Sequence, residues 1–210
     1  MKTLNLVKKL NLRNLALVGI FAMALFAVSC DKANDDYVPT SSEEMELKAG
    51  KAVKKSDMSI AEIAIGAGFD SLVVALQYVD TELDAGLVDL FLNGTDQYTV
   101  FAPTNDAFVG LVGEGKISDL PAEIVLNVLL YHVTDGRRAA NSVLPKKEGQ
   151  MKKIETLNGQ TFQVDYTGTI YTASGGMASI VTTTPGATFN ISASNGIIHV
   201  IDAVIVPELN

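Results

Sequence analysis

Apolar positions along this chain change their period once. From about residue 59 to 131 they recur at helical spacing, and from about residue 152 onward they fall into short alternating runs. Ile60, Ile63 and Ala64 share one face behind Ser59 and Glu62, a reciprocal capping pair, and Gly66 and Gly68 end that helix. Asp70 or Ser71 caps a second helix with Leu72, Leu76 and Val79 inward. Residues 81–92 are expected to hold a third, burying Leu87, Leu90 and Phe91, before Asn93 and Gly94 turn the chain. Pro121 opens a further helix whose Ile124, Val125, Val128, Leu129 and Tyr131 predict deep burial. Strands are predicted at 152–157, 161–166, 169–173, 179–184, 188–193 and 197–206. Asn158-Gly159 and Asn195-Gly196 signal tight hairpins; Gly175-Gly176 and Pro185-Gly186 mark other turns.

The two halves meet at residues 98–108. Residues 98–102 alternate polar and apolar over a β-branched, aromatic run and predict a half-buried strand. Pro103 cannot donate to a strand ladder and stops the run. Thr104 or Asn105 then accepts a backbone N–H and starts a helix that buries Phe108. Helices followed by strands, over about 150 residues with no repeat, define an α+β domain large enough for one core without disulfide staples.

The first 55 residues read differently. Lys2, Lys8, Lys9 and Arg13 precede an apolar run at 15–28, too short for a membrane span and suited to the core of an export signal. Ala27-Val28-Ser29-Cys30 follows and resembles a bacterial lipobox, in which the Cys thiol is acylated and the chain is cut before it. Cys30 is the only cysteine, so no disulfide forms within one molecule; a lipid acceptor explains it better than a redox centre. Residues 1–29 are therefore expected to be a lipoprotein signal peptide. Residues 30–55, polar and charged, are expected to be a flexible tether to a domain at 56–208. Asp31, Asp35 and Asp36 resemble the surface-export signals of Bacteroidota lipoproteins. That favours the outer membrane, with exposure at the cell surface, over the periplasmic face.

Charge narrows the partners. The formal charge is −8, and removing residues 1–29 takes four of the 16 basic residues and none of the 24 acidic ones, leaving −12. A nucleic-acid binder needs the opposite sign to displace counterions from phosphates. A cationic partner or a neutral glycan is easier to accommodate.

Three stretches carry a family resemblance. Thr99-Val100-Phe101-Ala102-Pro103-Thr104-Asn105-Asp106-Ala107-Phe108 is similar to the first signature of the fasciclin (FAS1) family. Asn195-Gly196-Ile197-Ile198-His199-Val200-Ile201-Asp202 and the residues to Pro207 are similar to the second, and Tyr131-His132 resembles the Tyr-His pair between them. The resemblance implies a FAS1 fold: a seven-stranded, β-sandwich-like wedge with a helical layer on one side. It also implies an adhesion or binding module, with Tyr131 and His132 as candidate binding residues. Thr99, Pro103, Asn105, Asp106, Phe108, Asn195, Gly196, His199 and Asp202 are then the structural motif.

No catalytic constellation stands out. His132 and His199 are the only histidines, too few for a zinc site without carboxylates, so no metal and no cofactor is expected. His199, between Ile198 and Val200, is expected to hydrogen-bond to backbone or a nearby carboxylate. Asn105 and Asp106 suit helix capping, and Asp202 has no paired acid or nucleophile beside it. Gly110, Gly115 and Lys116 mimic a phosphate loop, but Ile117 stands where the magnesium-binding hydroxyl belongs. Asp80, Glu82 and Asp84 mimic a calcium loop that lacks its final Glu. Arg137 and Arg138 form a basic loop tip. The function expected is a lipid-anchored extracytoplasmic adhesion or binding module, monomeric and not an enzyme. The alternative is an envelope carrier or enzyme using a cleft near His132.

Overall fold

The computed structural model describes residues 56–181 and 189–209, all within the unit Lys51–Asn210. Helices α1 (Ile60–Gly66), α2 (Asp70–Leu83) and α3 (Leu87–Asn93) come first, then strand β1 (Tyr98–Pro103). Helix α4 (Asn105–Val112), a 3-10 turn (Ile117–Asp119) and α5 (Ala122–Tyr131) lead to β2 (Val133–Asp135) and the one-turn α6 (Ala140–Val143). The rest is strand: β3 (Met151–Glu155), β4 (Thr161–Asp165), β5 (Thr169–Thr172), β6 (Met177–Ser179), β7 (Ile191–Ala193) and β8 (Gly196–Ile201).

The strands form two four-stranded sheets, in the orders β2-β1-β8-β7 and β3-β4-β5-β6. Among the described strands only β1 and β8 run parallel, paired from Tyr98↔Gly196 to Pro103↔Ile201. The sheets meet at two seams. The Leu157 amide donates to the Val133 carbonyl at 2.8 Å on one side. Ile180 bridges to Ile201 on the other, where the Val181 amide donates to Val200.

Because β1 and β8 are central, both their faces are covered and period-two alternation sorts side chains between two cores. Tyr98, Val100 and Ala102, with Ile198 and Val200, join Leu72, Val79 and Leu129 of the helices. Phe101 and Ile201 face the other way, onto Tyr131, Ile154 and Phe162. Phe101 and Tyr131 both meet Phe162 edge-on, at 5.0 and 5.8 Å between ring centres. The expected half-buried strand at 98–102 is thus buried along its whole length. Its sequence alternates because it feeds two cores, not because one face meets water.

Other expectations shift for local reasons. The third helix does not begin at 81: α2 runs on to Leu83, and Asp84 and Gly86 then take left-handed angles (φ 50° and 70°) that break it from α3. Neither Asp70 nor Ser71 caps α2; Phe69 holds the cap position and offers no side-chain bond. The hairpin at Asn195-Gly196 exists, but its turn is Ser194-Asn195, with Gly196 already in β8. A Cβ on Gly196 would collide with the Tyr98 carbonyl oxygen, so the parallel pairing requires glycine there. Eight strands are present among the described residues, one more than expected, because β2 is only three residues long and leaves no periodic trace. The run at 197–206 stops at Ile201, and the run at 179–184 is replaced by β6 and the Ile180 bridge. Residues 1–55, with the signal peptide, Cys30 and tether, and Pro185-Gly186 lie outside the described residues.

Candidate functional site

Tyr131 and His132 end α5, where the helix passes from the first core into the second. Tyr131 is fully buried and donates its hydroxyl to the Thr161 carbonyl at 3.1 Å; burial pushes its phenol pKa upward. His132 is 2% exposed. Its Nδ1 lies 2.7 Å from the Val128 carbonyl, and its Nε2 accepts the Ile205 amide at 3.1 Å. An amide donor at Nε2 requires the proton to sit on Nδ1. The imidazole is therefore a neutral clip between α5 and the segment after β8.

His199 is the mirror case. Its Nε2 is 2.9 Å from the Arg138 carbonyl, and its Nδ1 faces the Asn190 amide at 3.4 Å, so the proton sits on Nε2. The ring lies between Phe101 and Phe189, at 5.5 and 5.0 Å. Burial pulls both histidines down to about 4, against the smaller upward pull of each carbonyl bond.

The other motif residues follow the same logic. Thr99, fully buried, donates to the Gly136 carbonyl at 2.7 Å and accepts the Arg138 amide at 2.8 Å, shaping the loop after β2. Thr104, not Asn105, caps α4 by accepting the Ala107 amide. Asn105 reaches sideways instead, accepting the Ser71 amide at 3.0 Å and donating to the Gly68 carbonyl at 2.9 Å. It supplies the cap that α2 lacks. Asp80 does the same for α3 through the Leu87 and Val88 amides, both at 2.8 Å. Asn195 is buried and joins three elements: it accepts the Ile60 amide, donates to the Phe91 carbonyl and lends its own carbonyl to the Tyr98 amide.

Asp202 ties β8 to β6, accepting the Ser179 amide at 2.6 Å. Pro103 closes β1, Phe108 is buried in the first core, and Asp106 stands exposed in the first turn of α4. There its charge favours the helix N-terminus.

Arg137 does not sit at a loop tip. Its guanidinium lies along the β7–β8 hairpin and donates to the Ala193 and Gly196 carbonyls and the Ser192 hydroxyl. Burial lowers its pKa. Sequence reading missed this clamp because its partners lie more than fifty residues away.

Two cavities of about 30 Å³ each flank His132. Their walls are almost wholly apolar: Leu72 and Leu129 border both, with Phe108 and Val125 on one side and Leu76 and Phe91 on the other. Each could contain one water by volume but offers it hardly any polar partner, and neither admits a metabolite. Among the described residues no buried side-chain nitrogen or oxygen lacks a partner, and no three His, Cys, Asp or Glu side chains converge as a metal site would need. No helix among them is long and apolar enough to cross a membrane.

The sequence matches the Fasciclin domain over residues 68–207, more than half of the chain. It is 33% identical over 172 residues to Protein sll1483 of Synechocystis sp., covering 79% of this chain and 83% of that one. The chain belongs to the fasciclin domain family. It is also 33% identical over 143 residues to the transforming growth factor-beta-induced protein ig-h3 of Sus scrofa, but that match takes in 68% of this chain and only 18% of the longer protein. A FAS1 domain pair from the insect cell adhesion molecule Fasciclin I superposes with a TM-score of 0.42 at 19% identity, covering 64% of this chain and 45% of that one.

Proposed function

We propose that the chain is a lipid-anchored, extracytoplasmic adhesion or binding module of a bacterial envelope, contacting proteins, glycans or surfaces through its exterior. Membership of the fasciclin family supports the binding role. The observation that carries it is the fate of the motif side chains: apart from exposed Asp106, the polar ones bond to the chain's own backbone. A scaffold so clipped together suits shape presentation better than proton transfer, where a reactive group must face its substrate. Tyr131 and His132 then serve adhesion by fixing the surface above them rather than by touching the partner. The carrier or enzyme reading needs the cavities beside His132 to open well beyond their 30 Å³. The sequence Ala27-Val28-Ser29-Cys30 supports the anchor, with the outer membrane as its favoured address.

Bacteria expressing the chain should attach to surfaces coated with polysaccharide, matrix protein or envelope extract. Palmitate should label the wild type and not Cys30→Ser, and protease added to intact cells should remove the domain. Silence on every coating, or equal labelling of both chains, sinks the corresponding half of the proposal.

A further inference from the structure

The outward face of the second sheet carries side chains that the fold does not use. Strands β3 to β6 turn every second residue inward, and their register sets Lys153, Gln163, Tyr171 and Met177 side by side across all four strands. All four are exposed. At about 4.8 Å per strand the row is roughly 14 Å long. Lys153 and Gln163 make no side-chain hydrogen bond within the described residues.

Tyr171 is exposed yet held. Its hydroxyl donates to Asp165 Oδ2 at 3.1 Å. Asp165 is itself fixed, its Oδ1 accepting from the Thr167 amide, the Thr167 hydroxyl and the Thr169 amide at 2.7 to 2.9 Å. Restraining an exposed phenol through a water-screened bond adds little stability and sacrifices rotamer freedom. The restraint has a use if a ligand stacks on the ring, because the ordering is then complete before binding.

We propose that this face binds a neutral oligosaccharide, with one pyranose ring stacked on Tyr171 and its hydroxyls bonded to Gln163 and Lys153. The chemistry fits at each point. A sugar ring presents C–H groups on its flat face and hydroxyls on its rim, matching an aromatic face beside polar groups. The Gln163 amide offers both donor and acceptor, as a pair of vicinal hydroxyls requires, and the Lys153 ammonium offers donors. One lysine against Glu155 and Asp165 on the same face, in a chain of net charge −8, disfavours an anionic polysaccharide. Met151 is exposed on the same face, but its partner Asp165 of β4 stands between it and Tyr171, and a protein hot spot would call for a larger contiguous apolar cluster than Tyr171 and Met177.

The inference rests on the binding reading above and narrows it. The test titrates the purified full chain with cellohexaose, maltohexaose, mannohexaose and xylohexaose, and with hexagalacturonate as the anionic contrast. With no Trp and six Tyr, intrinsic fluorescence reports tyrosine directly and complements calorimetry. At least one neutral hexasaccharide should bind. Tyr171→Ala should weaken it about tenfold or more, and Tyr171→Phe, which keeps the ring but frees it, about two- to fivefold. Both variants should melt with the wild type. No neutral sugar bound, equal binding by Tyr171→Ala, or binding of hexagalacturonate alone overturns the inference. Cells carrying Tyr171→Ala that still attach like wild type, with no sugar bound, overturn this face and leave the binding reading standing. Cells of the wild type that attach to nothing overturn both. Loss of an envelope protein partner in Tyr171→Ala, with no sugar bound, marks the face as a protein interface and overturns the inference as well.

Discussion

Protonating either buried imidazole would do two harmful things at once. It would place a cation in a core, and it would turn an acceptor nitrogen towards an amide hydrogen, that of Ile205 for His132 and of Asn190 for His199. Both pKa values therefore sit at about 4 in the fold against an ordinary 6.5. Between these limits the unfolded chain binds more protons than the folded one. Their contribution is thus fully present above pH 6.5 and is lost as the pH falls towards 4, by about 3 kcal/mol per histidine. Urea unfolding between pH 7 and 4 should show a slope approaching two protons, and His132→Gln or His199→Gln should each remove one. A flat profile from pH 7 to 5 in the wild type would refute the assignment. The sequence showed that His199 sits in an apolar strand and needs a backbone or carboxylate partner, and the structure supplies the backbone one. The sequence could not show which carbonyl, because Arg138 lies 61 residues away.

At the level of the helices, the recurring device is a cap borrowed from another element. α2 takes its cap from Asn105 and α3 from Asp80, while Asn195 serves the first amide of α1 and a carbonyl in the last turn of α3. Asn105→Ala should cost about 1 kcal/mol, within the range for lost caps, and Asp106→Ala, its exposed neighbour, less than about 0.5. Asn195→Ala should cost about 2–4 kcal/mol because it strands a buried amide and a buried carbonyl together. Chemical denaturation of the three variants checks the order, and equal losses at Asn105 and Asp106 would dismiss the borrowed cap. The order of helices and strands was readable from period alone, and so was the reciprocal pair Ser59–Glu62, whose partners lie three residues apart. The break at Asp84 was not readable, because apolar residues on either side of it continue the helical period. The caps crossing between elements were invisible for the same reason as the histidine partners: spacing reports neighbours in sequence, and these bonds join strangers.

Across the domain, the residues after β8 behave as a strap. Ile205 is 1% exposed, its amide is held by His132, and Val206 and Glu208 are fastened by Ser174 and Gln160. Deleting residues 203–210 removes a buried Ile and orphans His132 Nε2, so stability should fall by about 3–5 kcal/mol. Amide exchange should speed up most at the end of α5; unchanged exchange there would show that the strap is dispensable. The parallel alignment of β1 with β8 has a further consequence, for the order of events in time. β1 is made well before its parallel neighbour β8, and Ile60 must wait for a partner 135 positions downstream. Closing so long a loop before any reward arrives predicts slow acquisition of structure, in milliseconds to seconds rather than microseconds. A growing chain stays without its keystone until β8 has been made.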